Sequence, residues 1–125
     1  MYRHCIKKLN DLSTLSAELS EYLRVKGETD KEIFYDIKLA IFELAGNILQ
    51  HSKSAAEVSV ELDCDRVYIN VVGGNCFDCK TVYNQPDIRA DHGRGIFIVK
   101  SIAESLNYYQ NGKTVLAVIS RKRQL

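Results

Sequence analysis

The sequence predicts an α/β chain of the α+β kind, a two-layer sandwich with helices packed on one face of a mixed β-sheet. Three observations carry that expectation. Two stretches within the first 51 positions repeat apolar residues at helical spacing, two pairs of alternating strands follow, and a third helical period lies between those pairs. At 125 residues and 46% hydrophobic, the chain has material for one core. It shows no repeat or low-complexity run and a single proline, Pro86, so one domain spanning residues 1–125 is expected.

Residues 2–9 are compatible with an edge strand. From Asp11 to Val25, Leu12, Leu15, Leu19, Tyr22 and Leu23 share a helical face, and Gly27 is a stop. Residues 30–51 form the longest helix, with Ile33, Ile37, Ala40, Ile41, Leu44 and Ile48 toward the core and Asp30 as N-cap. Val58, Val60 and Leu62, then Val67, Ile69 and Val71, alternate about a turn at Cys64-Asp65-Arg66, which reads as a hairpin. Residues 73–92 hold glycines, asparagines and Pro86 without a period and read as a long surface loop. Ile96, Val99, Ala103 and Leu106 mark a third helix, and residues 107–110 and 114–120 flank Asn111-Gly112 as a second hairpin.

Composition removes several function classes. Seventeen basic residues against sixteen acidic ones give a formal charge of +1, so bulk electrostatics argue for neither a nucleic acid nor a membrane partner. The basic cluster Arg121-Lys122-Arg123 reads as a solvated C-terminal end. No apolar stretch is long enough to span a bilayer and the N-terminus lacks a signal-peptide core, so a cytoplasmic location with reduced thiols is expected. Cys76 and Cys79 have the gap of a metal pair, with Cys64 and His92 as further ligands, but a second pair is missing; small, mostly buried thiols are the simpler reading of the four cysteines.

The chemistry concentrates at two places. Glu43, Asn47 and His51 recur every four residues, so they form one axial stripe at the margin of the core-facing arc, where unpaired polar groups cost about 1–3 kcal/mol. On spacing alone, a polar margin satisfied by neighbouring loops is the simpler reading. Gly46 weighs against it, because a mid-helix glycine costs about 1 kcal/mol and is understandable where a ligand or chain segment comes close. In the functional reading Glu43 is a general base toward water or a hydroxyl, Asn47 offers an oxygen to Mg²⁺, and His51 orients or packs. The second place is Asp91-His92-Gly93-Arg94-Gly95, a turn leading into the third helix, where glycines let backbone N–H groups approach a phosphate and Arg94 adds a charge.

The order of Glu-Leu-Ala-Gly-Asn-Ile-Leu-Gln-His from Glu43 to His51, a hairpin, a glycine-bearing loop, and Gly-Arg-Gly-Ile-Phe-Ile-Val from Gly93 to Val99 resembles the gyrase, histidine kinase and MutL ATPase superfamily. Within it the chain is most similar to the anti-sigma-factor serine kinases, over residues 30–122. That resemblance implies the histidine-kinase-type ATPase (Bergerat) fold, with ATP and Mg²⁺ as cofactors. It implies Glu43 as catalytic base and Asn47 on Mg²⁺. His51, Gly74, Asp78, Gly93, Arg94, Gly95, Ile96 and Thr114 would line the nucleotide, under a lid at residues 75–92. The implied partners are a sigma factor and an antagonist protein phosphorylated on serine, with the exposed face of the first helix as a contact and a homodimer as the assembly.

One departure stands out. The family's first glycine motif begins with an aspartate that reads the adenine amine, and the matching segment, Val71 to Asp78, holds Val72 or Gly73 there. Neither accepts a hydrogen bond from adenine through its side chain, and Cys76 replaces a glycine. The alternative reading is therefore a partner-binding regulatory module of the same fold without kinase activity.

Overall fold

The computed structural model describes residues 1–8, 10–51, 55–73, 91–109 and 113–121, with the backbone alone for 51 and 91–95. The elements are β1 (Tyr2–Ile6), α1 (Asp11–Val25), α2 (Lys31–His51), β2 (Ala56–Leu62), β3 (Arg66–Gly73), α3 (Asp91–Ile102), β4 (Ser105–Tyr109) and β5 (Thr114–Ser120). The helices form one layer on one face of a five-stranded sheet ordered β1-β2-β3-β5-β4, which is the expected two-layer architecture.

The sheet is antiparallel in every described pairing, not mixed. The reason is where β5 inserts. β4 runs in the same direction as β3 and would pair with it in parallel, but β5 comes between them and runs against both.

Local sequence explains each element. Leu12, Leu15, Leu19 and Leu23 bury one stripe of α1, and the chain leaves it through Gly27 at φ 87°, a left-handed conformation that favours glycine. The Asp30 carboxylate caps α2, accepting from the Glu32 and Ile33 N–H groups at 2.8 and 3.2 Å. Asp30→Ala is expected to cost about 1 kcal/mol, read from a urea midpoint shift at unchanged slope. On the sheet, Val58 and Val60, then Val67, Ile69 and Val71, then Val115, Ala117 and Ile119 alternate inward against α2 and its neighbours. Among the described residues no helix is long and apolar enough to cross a membrane.

Several sequence expectations are corrected. Gly73 is the last residue of β3, not loop. Helix α3 begins at Asp91, so Gly93 and Gly95 lie in helical backbone, not in a turn before it. It ends at Ile102, and Leu106 sits in β4 opposite Ala117; apolar spacing of three and four ran on through the break because both elements face the same core. Cys5 and Cys64 are exposed, the first because it takes an outward position opposite Glu57, the second because it tips the β2–β3 turn. Cys76, Cys79 and Asn111-Gly112 lie outside the described residues.

Arg121 is not solvated either. Its Nε donates to Glu28 Oε1 at 2.7 Å with side-chain exposures of 18% and 8%, its guanidinium also donates to the Asp63 carbonyl, and its N–H donates to Asp65 O at 2.8 Å. These contacts tie the chain's end to the α1–α2 connection and to the β2–β3 turn. Arg66 adds a two-point pair with Glu104 at 2.9 and 3.2 Å.

Asp63 organises the turn by accepting the Asp65 and Arg66 N–H groups, each at 2.8 Å, while Tyr68 donates its hydroxyl to the other carboxylate oxygen at 3.0 Å. The two backbone donors hold its carboxyl below the usual range. Its folded pKa is thus depressed, so its stabilisation is present above the unfolded value and lost as pH falls through the folded one. Asp63→Asn is expected to flatten the acid limb of a melting-temperature profile below about pH 5 and to leave the profile above it unchanged. An unchanged acid limb would remove that role.

Candidate functional site

Chain direction brings the chemistry to one end of the molecule. Helix α2 runs toward the end of the sheet where β2 starts at Ala56 and β3 finishes at Gly73, since these two residues pair. β5 starts and β4 finishes at the same end, where Thr114 pairs with both Val72 and Tyr109. Helix α3 packs on α2 and delivers the chain to β4 at the opposite end, so its N-terminus lies at this one. The pole therefore gathers the C-terminal half of α2, the first turn of α3, and the ends of β3 and β5.

Asn47 is a buried polar residue, 9% exposed, and its carboxamide has no hydrogen-bond partner among the described residues. A buried amide without a partner costs about 1–3 kcal/mol, which a ligand at that position would recover. Glu43, one helical turn earlier on α2, is half-buried and makes no side-chain hydrogen bond or ion pair among the described residues. The contrast with the far pole is marked: there Arg121, Glu28, Arg66, Glu104, Asp63 and Tyr68 are all engaged.

Gly46 does not have the expected close neighbour. A Cβ placed on it meets nothing within 4 Å, so no described chain segment accounts for the glycine. Its cost to the helix remains, and Gly46→Ala is expected to stabilise the folded chain by about 1 kcal/mol in chemical unfolding.

The remaining predicted residues fall as follows. His51 ends α2, and the backbone of Gly93, Arg94 and Gly95 forms the opening turns of α3, where main-chain N–H groups without helical acceptors favour an anion. Ile96 is half-buried against the core. Gly74 and Asp78 lie outside the described residues, as does the expected lid at residues 75–92 except for its last two positions, which are backbone of α3. Thr114 is at the pole, but its pairing with Val72 puts it on the sheet face away from α2. The same alternation separates the two positions that replace the aspartate. Val72 faces outward, whereas Gly73 is buried, pairs with Ala56 and faces the helices, so an acceptor is missing from the helix-facing side at Gly73.

Lys113 also lies at this pole. Its carbonyl accepts the Gly73 N–H at 2.8 Å, it is half-buried, and it follows the inward phase of Val115 and Ala117. Only the β3–β5 register brings it there, because nothing local in the sequence marks its position.

The donor set suits Mg²⁺ and a polyphosphate: one neutral oxygen donor on Asn47, one carboxylate on Glu43, and a helix N-terminus. Among the described residues no group of three or more histidine, cysteine or acidic side chains is placed to hold a metal. A family model described as a histidine kinase-like ATPase domain matches residues 6–119. No curated protein matches the chain.

Proposed function

This chain belongs to the histidine kinase-like ATPase domain family, and on that footing we propose that it is an ATP-dependent protein serine kinase of the anti-sigma type. It binds ATP with Mg²⁺, phosphorylates a serine on an antagonist protein, and sequesters a sigma factor. The observation that carries the reading is the buried, unpartnered Asn47 one turn from Glu43, at the pole where α3 begins. Bound ATP and Mg²⁺ supply the transferable phosphoryl group and the charge neutralisation it needs.

The chain's own residues have separate tasks. Asn47 directs its carboxamide oxygen to the ion, and the first N–H groups of α3 hold phosphate oxygens. Glu43 takes the proton from the attacking hydroxyl; its half-buried position keeps it reachable while limiting water around it. The exposed face of α1 and a homodimeric assembly complete the proposal as regards partners, both by resemblance to the anti-sigma kinases.

A second reading has one specific observation in its favour. Gly73 offers no side-chain acceptor to adenine on the helix-facing side of β3, which suits a partner-binding module with weak nucleotide affinity.

Incubation with γ-labelled ATP and an extract of the source cells separates the readings. Acid-stable label on serine, dependent on the added protein and absent with Glu43→Ala, is the expected result. Acid-labile label on histidine would indicate a histidine kinase instead, and no protein-dependent label would favour the binding module.

A further inference from the structure

We propose that Lys113 is a ligand-binding cation of this site, pairing its ammonium with a phosphate of the bound nucleotide; the proposal rests on the nucleotide-binding reading above. Its position comes from the register. Lys113 O accepts the Gly73 N–H at 2.8 Å, immediately before Thr114 enters β5, and Val115 and Ala117 point toward the helices. Continuing that alternation places Lys113 on the helix-facing side, next to Gly73 and Ala56. Neither of these two neighbours carries more than a methyl group.

Its charge is unmatched. Lys113 is half-buried yet has no ion pair or side-chain hydrogen bond among the described residues. Arg24, Arg66 and Arg121, by contrast, each hold a carboxylate. A cation held partly out of water gains most from an anion that arrives with the ligand.

The unpartnered Asn47 marks the same pole as a ligand site independently of any charge argument, and the start of α3 adds positive potential there. An anionic group satisfies both the helix terminus and the ammonium. A neutral nucleoside would leave both unmatched.

The test compares Mg²⁺-ADP with adenosine by calorimetry on the full chain, for the wild type, Lys113→Gln and Lys113→Arg. Lys113→Gln is expected to weaken ADP by on the order of tenfold or more, leave adenosine unchanged, and flatten the salt dependence of ADP binding, while Lys113→Arg keeps most of the affinity. Melting temperatures within about a degree or two of the wild type establish that the variants fold. ADP affinity and salt dependence unchanged in Lys113→Gln would overturn the proposal, as would equal losses for ADP and adenosine, which would assign the lysine to the base. A wild-type chain that binds no ADP would overturn the nucleotide reading itself and this inference with it.

Discussion

Glu43→Ala is expected to slow Mg²⁺-dependent ADP release from ATP by on the order of 10²–10⁴-fold, the usual worth of a positioned general base. The folded chain should be little affected, because Glu43 is half-buried and makes no side-chain hydrogen bond or ion pair among the described residues that the substitution would break. Nucleotide affinity should also persist, since the ion and phosphates are assigned to Asn47, the start of α3 and Lys113. Glu43→Gln distinguishes charge from shape: it keeps the volume and loses the basicity, so it should be as slow as alanine. Activity unchanged in either variant would remove the catalytic role, and parallel loss of binding would make Glu43 a ligand residue.

The second large effect is structural. Arg121→Ala is expected to destabilise the fold by about 3–5 kcal/mol, because it strands the Glu28 carboxylate at 8% exposure and also removes the donor to the Asp63 carbonyl. Glu28 Oε2 still accepts the Asp30 N–H at 3.0 Å, which keeps part of the connection in place and sets the loss toward the lower end. The double variant Arg121→Met with Glu28→Met should recover much of the stability, since an apolar pair of similar length does not have to shed water from two charges. Urea unfolding of the wild type, Arg121→Met, Glu28→Met and the double variant measures the coupling. A loss under about 1 kcal/mol in Arg121→Ala would show the pair to be no stronger than a surface contact.

The first two helices were the most legible part of this sequence. The limits of α1 and the Asp30 cap on α2 follow from apolar spacing and cap chemistry, both local, and the β2–β3 hairpin follows from alternation about its turn. What escaped was set by partners distant in the chain. The insertion of β5 between β3 and β4 decides that the sheet is antiparallel, and no residue near either strand announces it. Arg121 looked like part of a solvated basic tail because its partner, Glu28, lies 93 positions away.

The site divides in the same way. Glu43 and Asn47 were legible because helical spacing alone places both on one margin of α2. The Gly93–Gly95 segment was recognised by composition but read as a turn, since glycines carry no signal that a helix has already begun at Asp91. Strand parity then separated Gly73 from Val72 and placed Lys113 at the same pole, and parity is a property of the β3–β5 register.

Calorimetric titration of the chain and its Asn47→Ala variant with Mg²⁺-ATP tests most directly whether this pole is a nucleotide site. Binding on the order of micromolar in the wild type, lost in Asn47→Ala while the ligand-free variant melts at or above the wild-type temperature, is the expected result, because an amide without a partner contributes nothing to the empty fold. No heat up to about millimolar nucleotide in the wild type, or equal affinity in the variant, would contradict it.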